Sequence, residues 1–317
     1  MANELDFGSE PETAIVKLRP KQKKKVIVHE IAPRPITDYL FANANTYNFK
    51  SWKECFPDNQ VSLRSLVFNY DWYSFFDIVS TKPYYSGMER ILSSCLKQNA
   101  EIVPHAELVF NAFNTLSPKD IKVVLIGQDP YPGATKINGR YIPDAMGYSF
   151  SVPYNYPTPL SLHNIYANMV EFKHLSKIPK SGCLAGLVLQ GVFMINSSLT
   201  TLYATKKAHS AIWRDFSNDL LDYINKTCDN IAFLVWGRDA HMLCLNIDPK
   251  KHCLITSSHP SPLGYDKTLS GFTYGPGKQL RDRKPVTYPS FKSTNHFGKM
   301  NSYLESVKKE SIFLDVI

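Results

Sequence analysis

The sequence lacks the patterns that mark several common protein classes. It has 6 cysteines in 317 residues and no CxxC pair, which fits neither a disulfide framework nor a closely spaced zinc site. No apolar run approaches the roughly 20 residues that a membrane-spanning helix needs. The polar start MANELDFGSEPE does not match a secretory signal. Neither GxGxxG nor GxxxxGKS/T occurs, so no dinucleotide or P-loop nucleotide site is indicated.

The composition predicts a folded protein with a polyanionic partner. Hydrophobic residues make up 44% of the chain and aromatic residues 13%, which is enough to bury a sizeable core. The net charge of +8 favours nucleic acid as the partner. The lack of a membrane-length apolar run argues against a membrane. Scattered cysteines without a signal peptide indicate reduced thiols, so we expect a nuclear or cytoplasmic protein that is not secreted.

Residues 1–60 are predicted to be a basic, partly disordered N-terminal extension, and residues 61–317 the folded domain. The extension contains the run KLRPKQKKK, which is typical of a solvated arm. A nuclear address and an arm that contacts DNA are the alternatives.

One group of residues could suggest a metal site, namely His241, Cys244, His252 and Cys253. Their spacing is loose for zinc, and the neighbours of both cysteines are apolar, which favours core positions over metal ligands. We therefore expect no metal at this group.

Four short apolar runs predict buried strands, and each run opens into polar residues. They lie within residues 121–127, 190–196, 230–237 and 252–262. Helical patterns separate them, including one that starts near Ser161, a suitable capping residue, and one at 212–226. Strands that alternate with helices predict a mostly parallel α/β sheet, with the strand ends at one edge.

Three polar residues follow these strands, namely Asp129, Asn196 and His259. Each has a structural explanation on its own. An Asp before Pro forms turns, an Asn at a strand end caps helices, and a His before Pro is often a structural residue. Because all three belong to one edge of one sheet, we expect them to form a functional cleft.

The motifs in the sequence resemble those of the uracil-DNA glycosylase family over about residues 65–310. The matching segments, in order, are GQDPY, FSVP, SLHNIY, QGVFMIN, FLVWG and HPSPL. The pair of GQDPY and a downstream HPSPL is highly specific. The resemblance implies a single α/β domain whose central four-stranded parallel sheet is flanked by helices on both faces. It also implies an enzyme that flips uracil out of DNA and hydrolyses its N-glycosidic bond without a cofactor.

The resemblance further implies a role for each matching residue. Asp129 and His259 would be catalytic. The uracil-binding residues would be Gln128, largely through its backbone, and Tyr131, Phe150 and Asn196. The DNA-binding residues would be Pro157, Pro159, Ser161, Gly237, Arg238, Ser261 and Leu263, of which Leu263 would be the apolar wedge that fills the vacated base stack.

Several departures from the family pattern predict a diverged branch, of the kind found in large DNA viruses. Pro132 stands where the cellular enzymes usually carry His, and the loop from Tyr131 to Phe150 is longer. An insertion at about 265–289 contains the run GPGKQLRDRKP with four basic residues, and it forms either a solvated surface loop or an additional DNA contact. The basic residues are Lys278, Arg281, Arg283 and Lys284.

The alternative function is a DNA-bound subunit of a replication complex, with a polymerase processivity role and secondary glycosylase activity. The expected partners are uracil-containing DNA, single- or double-stranded, and a possible replication protein. We expect a monomer or a weak dimer.

Overall fold

The computed structural model describes residues 33–315 as one α/β domain. The helices of this part are α1 Ile36–Leu40, α2 Trp52–Cys55, α3 Tyr73–Val79, α4 Pro83–Lys97, α5 Asn111–Thr115, α6 Leu160–Glu171, α7 Ala185–Val188, α8 Ser210–Thr227, α9 Arg238–Leu243 and α10 His296–Ser306. Its strands are β1 Ile102–Val103, β2 Val123–Gly127, β3 Ala134–Ile137, β4 Arg140–Pro143, β5 Val192–Asn196, β6 Thr201–Leu202, β7 Ala232–Trp236, β8 Cys253–Ser257, β9 Leu269–Phe272 and β10 Pro285–Tyr288.

The central sheet is parallel and has four strands in the order β5-β2-β7-β8, which confirms the predicted fold class. Strands β2, β5 and β7 are buried along their whole length, as expected of a sheet covered on both faces. The register pairs Gly127 with Asn196 and Trp236 with Ser257. The four strands therefore end together, and the polar residues that follow them meet at one edge.

Aromatic residues build the layers on both faces of the sheet. On one face, Phe193 of β5 stacks against Trp72 and meets Phe113 of α5 edge-on. Successive residues of a strand point to opposite faces of the sheet. Trp236 of β7 lies three residues after Phe233, which is in register with Phe193, so Trp236 points to the other face. There it contacts Phe291 and Phe297, the latter in α10. These large rings contribute buried apolar area to the core on both faces of the sheet.

The predicted boundary after residue 60 is wrong, because the folded domain begins earlier. Tyr39, Tyr47 and Trp52 are buried, and the Trp52 indole Nε1 donates a hydrogen bond of 2.8 Å to the Pro104 carbonyl. Arg34 forms an ion pair with the buried Glu107. Aromatic residues are frequent in this segment and were the available signal. The predicted disorder and the basic run of residues 17–25 lie outside the described residues.

Helix α6 begins at Leu160, and the residue in the N-cap position is Pro159. The expected capping role of Ser161 is therefore wrong, because this residue already lies within the first turn and no side chain caps the helix. Pro159 supplies an extended backbone that leads into the helix without a capping hydroxyl.

The insertion at 265–289 contains an antiparallel hairpin of β9 and β10, so it is not an irregular loop. Arg283 is buried, and its guanidinium donates to the carbonyls of Leu245, Thr273 and Lys278. It cannot serve as the phosphate contact that the run of basic residues suggested. The other three basic residues of the run, Lys278, Arg281 and Lys284, are exposed.

Within residues 33–315, none of the helices combines the length and the apolar character that crossing a bilayer requires.

Candidate active site

The candidate site begins where β2 ends. Gly127 lies directly beside Asn196, since a Cβ atom at position 127 would stand 2.2 Å from the Asn196 Oδ1 atom. Only glycine therefore allows the two strand ends to approach this closely. The approach places the Asn196 amide next to the loop that carries Gln128 and Asp129.

Asp129 has one carboxylate oxygen fixed and one free. Its Oδ2 atom accepts a hydrogen bond of 2.8 Å from the backbone N–H of Lys207. Its Oδ1 atom has no hydrogen-bond partner in the described part of the chain. Burial raises the pKa of the Asp129 carboxyl, and the Lys207 N–H opposes that shift. The Oδ1 atom is therefore available to a water or a developing cation.

His259 is held as a neutral imidazole. Its Nδ1 atom accepts a hydrogen bond of 3.0 Å from the backbone N–H of Ser261, so the neutral ring carries its proton on Nε2. Burial lowers the pKa of His259 to about 4, which keeps the ring neutral near pH 7. Gly237 lies against this ring: its φ is +88°, and a Cβ there would stand 2.9 Å from the His259 Cβ.

The pocket between these groups is shaped by an amide and two aromatic rings. The amide atoms of Asn196 have no hydrogen-bond partner among residues 33–315, although the residue is only 8% exposed. The Tyr131 hydroxyl donates to the Phe150 carbonyl at 3.3 Å, which holds the Tyr131 ring against the Phe150 backbone. The Phe150 ring lies 6.0 Å from the His259 ring between centroids. A free amide in a nearly closed aromatic pocket is suited to reading the edge of one flat ring.

Two polar groups of Gln128 are occupied by protein. Its carbonyl accepts hydrogen bonds from Ser197 Oγ at 2.6 Å and from the Ser198 N–H at 3.0 Å. Its side-chain amide donates to Asp239. Both contacts hold the loop after β2 in place.

One cleft of about 490 Å³ collects most of the residues that the sequence singled out. Those that line it are Gln128, Asp129, Tyr131, Phe150, Ser161, Asn196, Arg238, His259, Ser261 and Leu263. Leu263 is 81% exposed at its rim, which is unusual for a large apolar side chain. The cleft joins a buried ring-sized pocket to an exposed apolar side chain.

Three of the expected DNA-binding residues do not line the cleft. Pro157 is exposed and Pro159 is half-buried in the segment that leads into α6, where Ser161 reaches the cleft. Gly237 lies behind His259. The Asn164 side chain of α6 donates to the Pro260 carbonyl at 2.7 Å, which joins this segment to the loop that carries His259.

Sequence reasoning missed three charged residues of the cleft, namely Lys206, Lys207 and Asp239. Nothing in their residue types distinguishes them from ordinary surface charges. The available signal was position, because Lys206 and Lys207 follow Asn196 by about ten residues and Asp239 follows Gly237 by two.

His241 and Cys244, two of the residues considered as metal ligands, have other surroundings. Both ring nitrogens of His241 are occupied: Nδ1 lies 2.7 Å from the Tyr274 hydroxyl, and Nε2 accepts the Phe272 N–H at 2.9 Å. Cys244 is fully buried in the apolar core.

Comparisons with known proteins agree with this geometry. The family described as the Uracil DNA glycosylase superfamily matches residues 113–282. A probable uracil-DNA glycosylase of Acanthamoeba polyphaga mimivirus is 49% identical over 296 residues, which cover 93% of this chain and 77% of the relative. A uracil-DNA glycosylase of Pseudomonas aeruginosa is 33% identical over 232 residues, 73% of this chain and 87% of the relative. The crystal structure of mimivirus uracil-DNA glycosylase superposes with a TM-score of 0.84 at 50% identity, covering 89% of this chain and 99% of that one.

Proposed function

The chain belongs to the uracil DNA glycosylase superfamily, and from that membership we propose how its own residues excise uracil. The protein is a DNA repair glycosylase that releases free uracil and leaves an abasic site. The observation that carries the assignment of roles is the placement of Asp129, Asn196 and His259 around one cleft.

Flipping comes first, because a base inside a duplex cannot reach a buried pocket. Leu263 occupies the space that the base leaves, since an exposed apolar side chain at the rim of the cleft gains cover between neighbouring bases. Ser161, Ser261 and Arg238 surround the entrance and offer hydroxyl and guanidinium donors to the phosphates.

Recognition follows from hydrogen-bond matching. The Asn196 amide oxygen accepts from uracil N3–H, and the amide nitrogen donates to O4. Cytosine presents an acceptor and a donor at these positions, so it would leave buried polar atoms unpaired. Phe150 stacks on the ring, and Tyr131 fills the space beside C5.

Bond cleavage separates charge along the line between Asp129 and His259. The C1′–N1 bond breaks, and its electron pair passes to the uracil ring, where the His259 Nε2–H donates to the oxygen that becomes negative. The ionised Asp129 stabilises the cationic sugar. Water then adds to C1′, and its proton leaves with Asp129 as the first acceptor.

The test of this function is uracil release from an oligonucleotide with one uracil, in buffer containing EDTA. We expect free uracil together with an alkali-labile abasic site at the uracil position. An identical oligonucleotide with thymine at that position is the control, and it should remain intact. Cleavage of both oligonucleotides, or of neither, would contradict the assignment.

Replacing Tyr131 by alanine should admit thymine. The phenol ring occupies the space where the thymine methyl group would lie, so removing it removes the clash. We expect measurable thymine release and a smaller loss of uracil release, followed by HPLC of the free bases. Tyr131→Phe is the matched control and should still refuse thymine. If Tyr131→Ala also refuses it, the methyl group is excluded elsewhere.

We also propose that the protein acts as a monomer or a weak dimer. The comparisons do not favour the alternative role as a replication subunit, since the relatives are named for the glycosylase activity. A replication-protein partner and a nuclear or cytoplasmic location stay proposals.

A further inference from the structure

The segment between β6 and α8 is tied to the catalytic loop at two points. The Ala204 N–H donates to the Pro132 carbonyl at 2.8 Å, and the Lys207 N–H donates to Asp129 Oδ2 at 2.8 Å. Lys207 has φ of +60°, in the left-handed region that residues with a Cβ rarely adopt. This strained conformation accompanies the N–H that reaches the carboxylate.

The Lys207 side chain has a fixed partner of its own. Its ammonium Nζ lies 3.0 Å from Asp239 Oδ2, and the same oxygen accepts the Gln128 amide. The two charged side chains are 52% and 43% exposed, so the pair adds little to folding stability. The pair is better explained by geometry, because Asp239 binds both Gln128, which precedes Asp129 in the chain, and Lys207, whose N–H contacts the Asp129 carboxylate.

We propose that Lys207 is a positioning residue for Asp129 and that Asp239 is its anchor. The proposal rests on the catalytic role of Asp129 given above. The ammonium pair holds residue 207 in its left-handed conformation. The backbone N–H then fixes Oδ2, and Oδ1 faces the reacting sugar. The ammonium also adds a positive charge near a carboxylate that must stay ionised.

The charges around the cleft predict the direction of the pH effects. Lys206 and Lys207 lower the pKa of Asp129, whereas Asp239 raises it. The same lysines lower the pKa of His259, and Asp239 raises it. Arg238 also lines the cleft, as do Tyr131 and Tyr148. Catalysis needs Asp129 ionised and His259 neutral. The rate should therefore fall as the pH drops through the pKa values of these two groups, because each of them becomes protonated.

Lys207→Gly tests the side chain without disturbing the backbone, because glycine adopts a φ of +60° freely. Under single-turnover conditions at pH 7 we expect uracil release to slow by roughly tenfold to a hundredfold. The acid limb of the rate profile should move to higher pH, since a positive charge is lost. Lys207→Arg should restore most of the rate.

Lys308→Gly is the matched control. Lys308 is an exposed lysine with φ of +59°, and it lies after α10, away from the cleft. Its replacement should leave both the rate and the acid limb unchanged. Melting temperatures of all variants show whether any loss of rate reflects unfolding.

Asp239→Asn should shift the acid limb of the rate profile in the opposite direction. The rate should fall because the anchor of Lys207 weakens, but the acid limb should move to lower pH because a negative charge is lost. A change that merely loosened the fold would not move the acid limbs of Lys207→Gly and Asp239→Asn in opposite directions.

Several outcomes would overturn the proposal. One is a Lys207→Gly rate equal to that of Lys308→Gly, and another is a slower rate with unmoved acid limbs. A rise in KM alone would make Lys207 a phosphate contact and not a positioning residue. Failure of the underlying mechanism is separable, because it would appear as near-normal turnover by Asp129→Asn whatever the Lys207 variants do.

Discussion

Asp129→Asn should lower the single-turnover rate of uracil release by about a thousandfold. The amide keeps the shape of the carboxylate but loses the charge that stabilises the cationic sugar and the base that receives the water proton. DNA binding should persist, because the entrance residues are unchanged and a negative charge is removed. Rapid-quench kinetics gives the rate, and fluorescence anisotropy with uracil-containing DNA gives the affinity.

Asp222→Asn is the control for this variant. Asp222 is an exposed residue of α8 that pairs with Lys226, so the same chemical change there should leave the rate alone. Near-normal turnover by Asp129→Asn would remove the carboxylate from the mechanism. Loss of DNA binding in parallel with rate would instead indicate a damaged fold.

Asn196→Asp should change the choice of base. A protonated carboxyl donates to cytosine N3 and accepts from its amino group, the reverse of the pattern that uracil needs. Position 196 is nearly closed to solvent, and burial favours the protonated acid. We expect cytosine release to become measurable and to increase as the pH falls, while uracil release drops by about a hundredfold or more.

The measurement is release of each base from matched oligonucleotides across a range of pH. Asn218→Asp, on the exposed side of α8, should show no cytosine release. Continued refusal of cytosine at every pH by a folded Asn196→Asp protein would show that the amide does not select the base.

The sheet and its functional edge were predictable from the sequence because two simple rules act together. Apolar runs of strand length specify buried strands, and parallel strands place their following residues at one edge. Asn196 ends one such strand, and Asp129 and His259 follow two others, so their meeting needed no knowledge of side-chain contacts.

Other features depend on distant contacts that no local pattern reveals. Arg283 looks like any exposed arginine in the sequence, and only the carbonyls that surround it show that it is buried. The tautomer of His259 depends on the Ser261 N–H, and the role of Lys207 depends on Asp239. The early start of the domain was missed because the basic run predicts a solvated arm, although the aromatic residues that follow it are buried.

The exposure of Leu263 has a consequence for how the protein searches DNA. On intact duplex this side chain stays in water, and it gains cover only where a base has left the stack. The residence time at a site therefore depends on how readily that base pair opens. Opening costs least at mismatches, so uracil opposite guanine should be retained longer than uracil opposite adenine. Leu263 therefore responds to the stability of the base pair before the pocket binds and distinguishes the base.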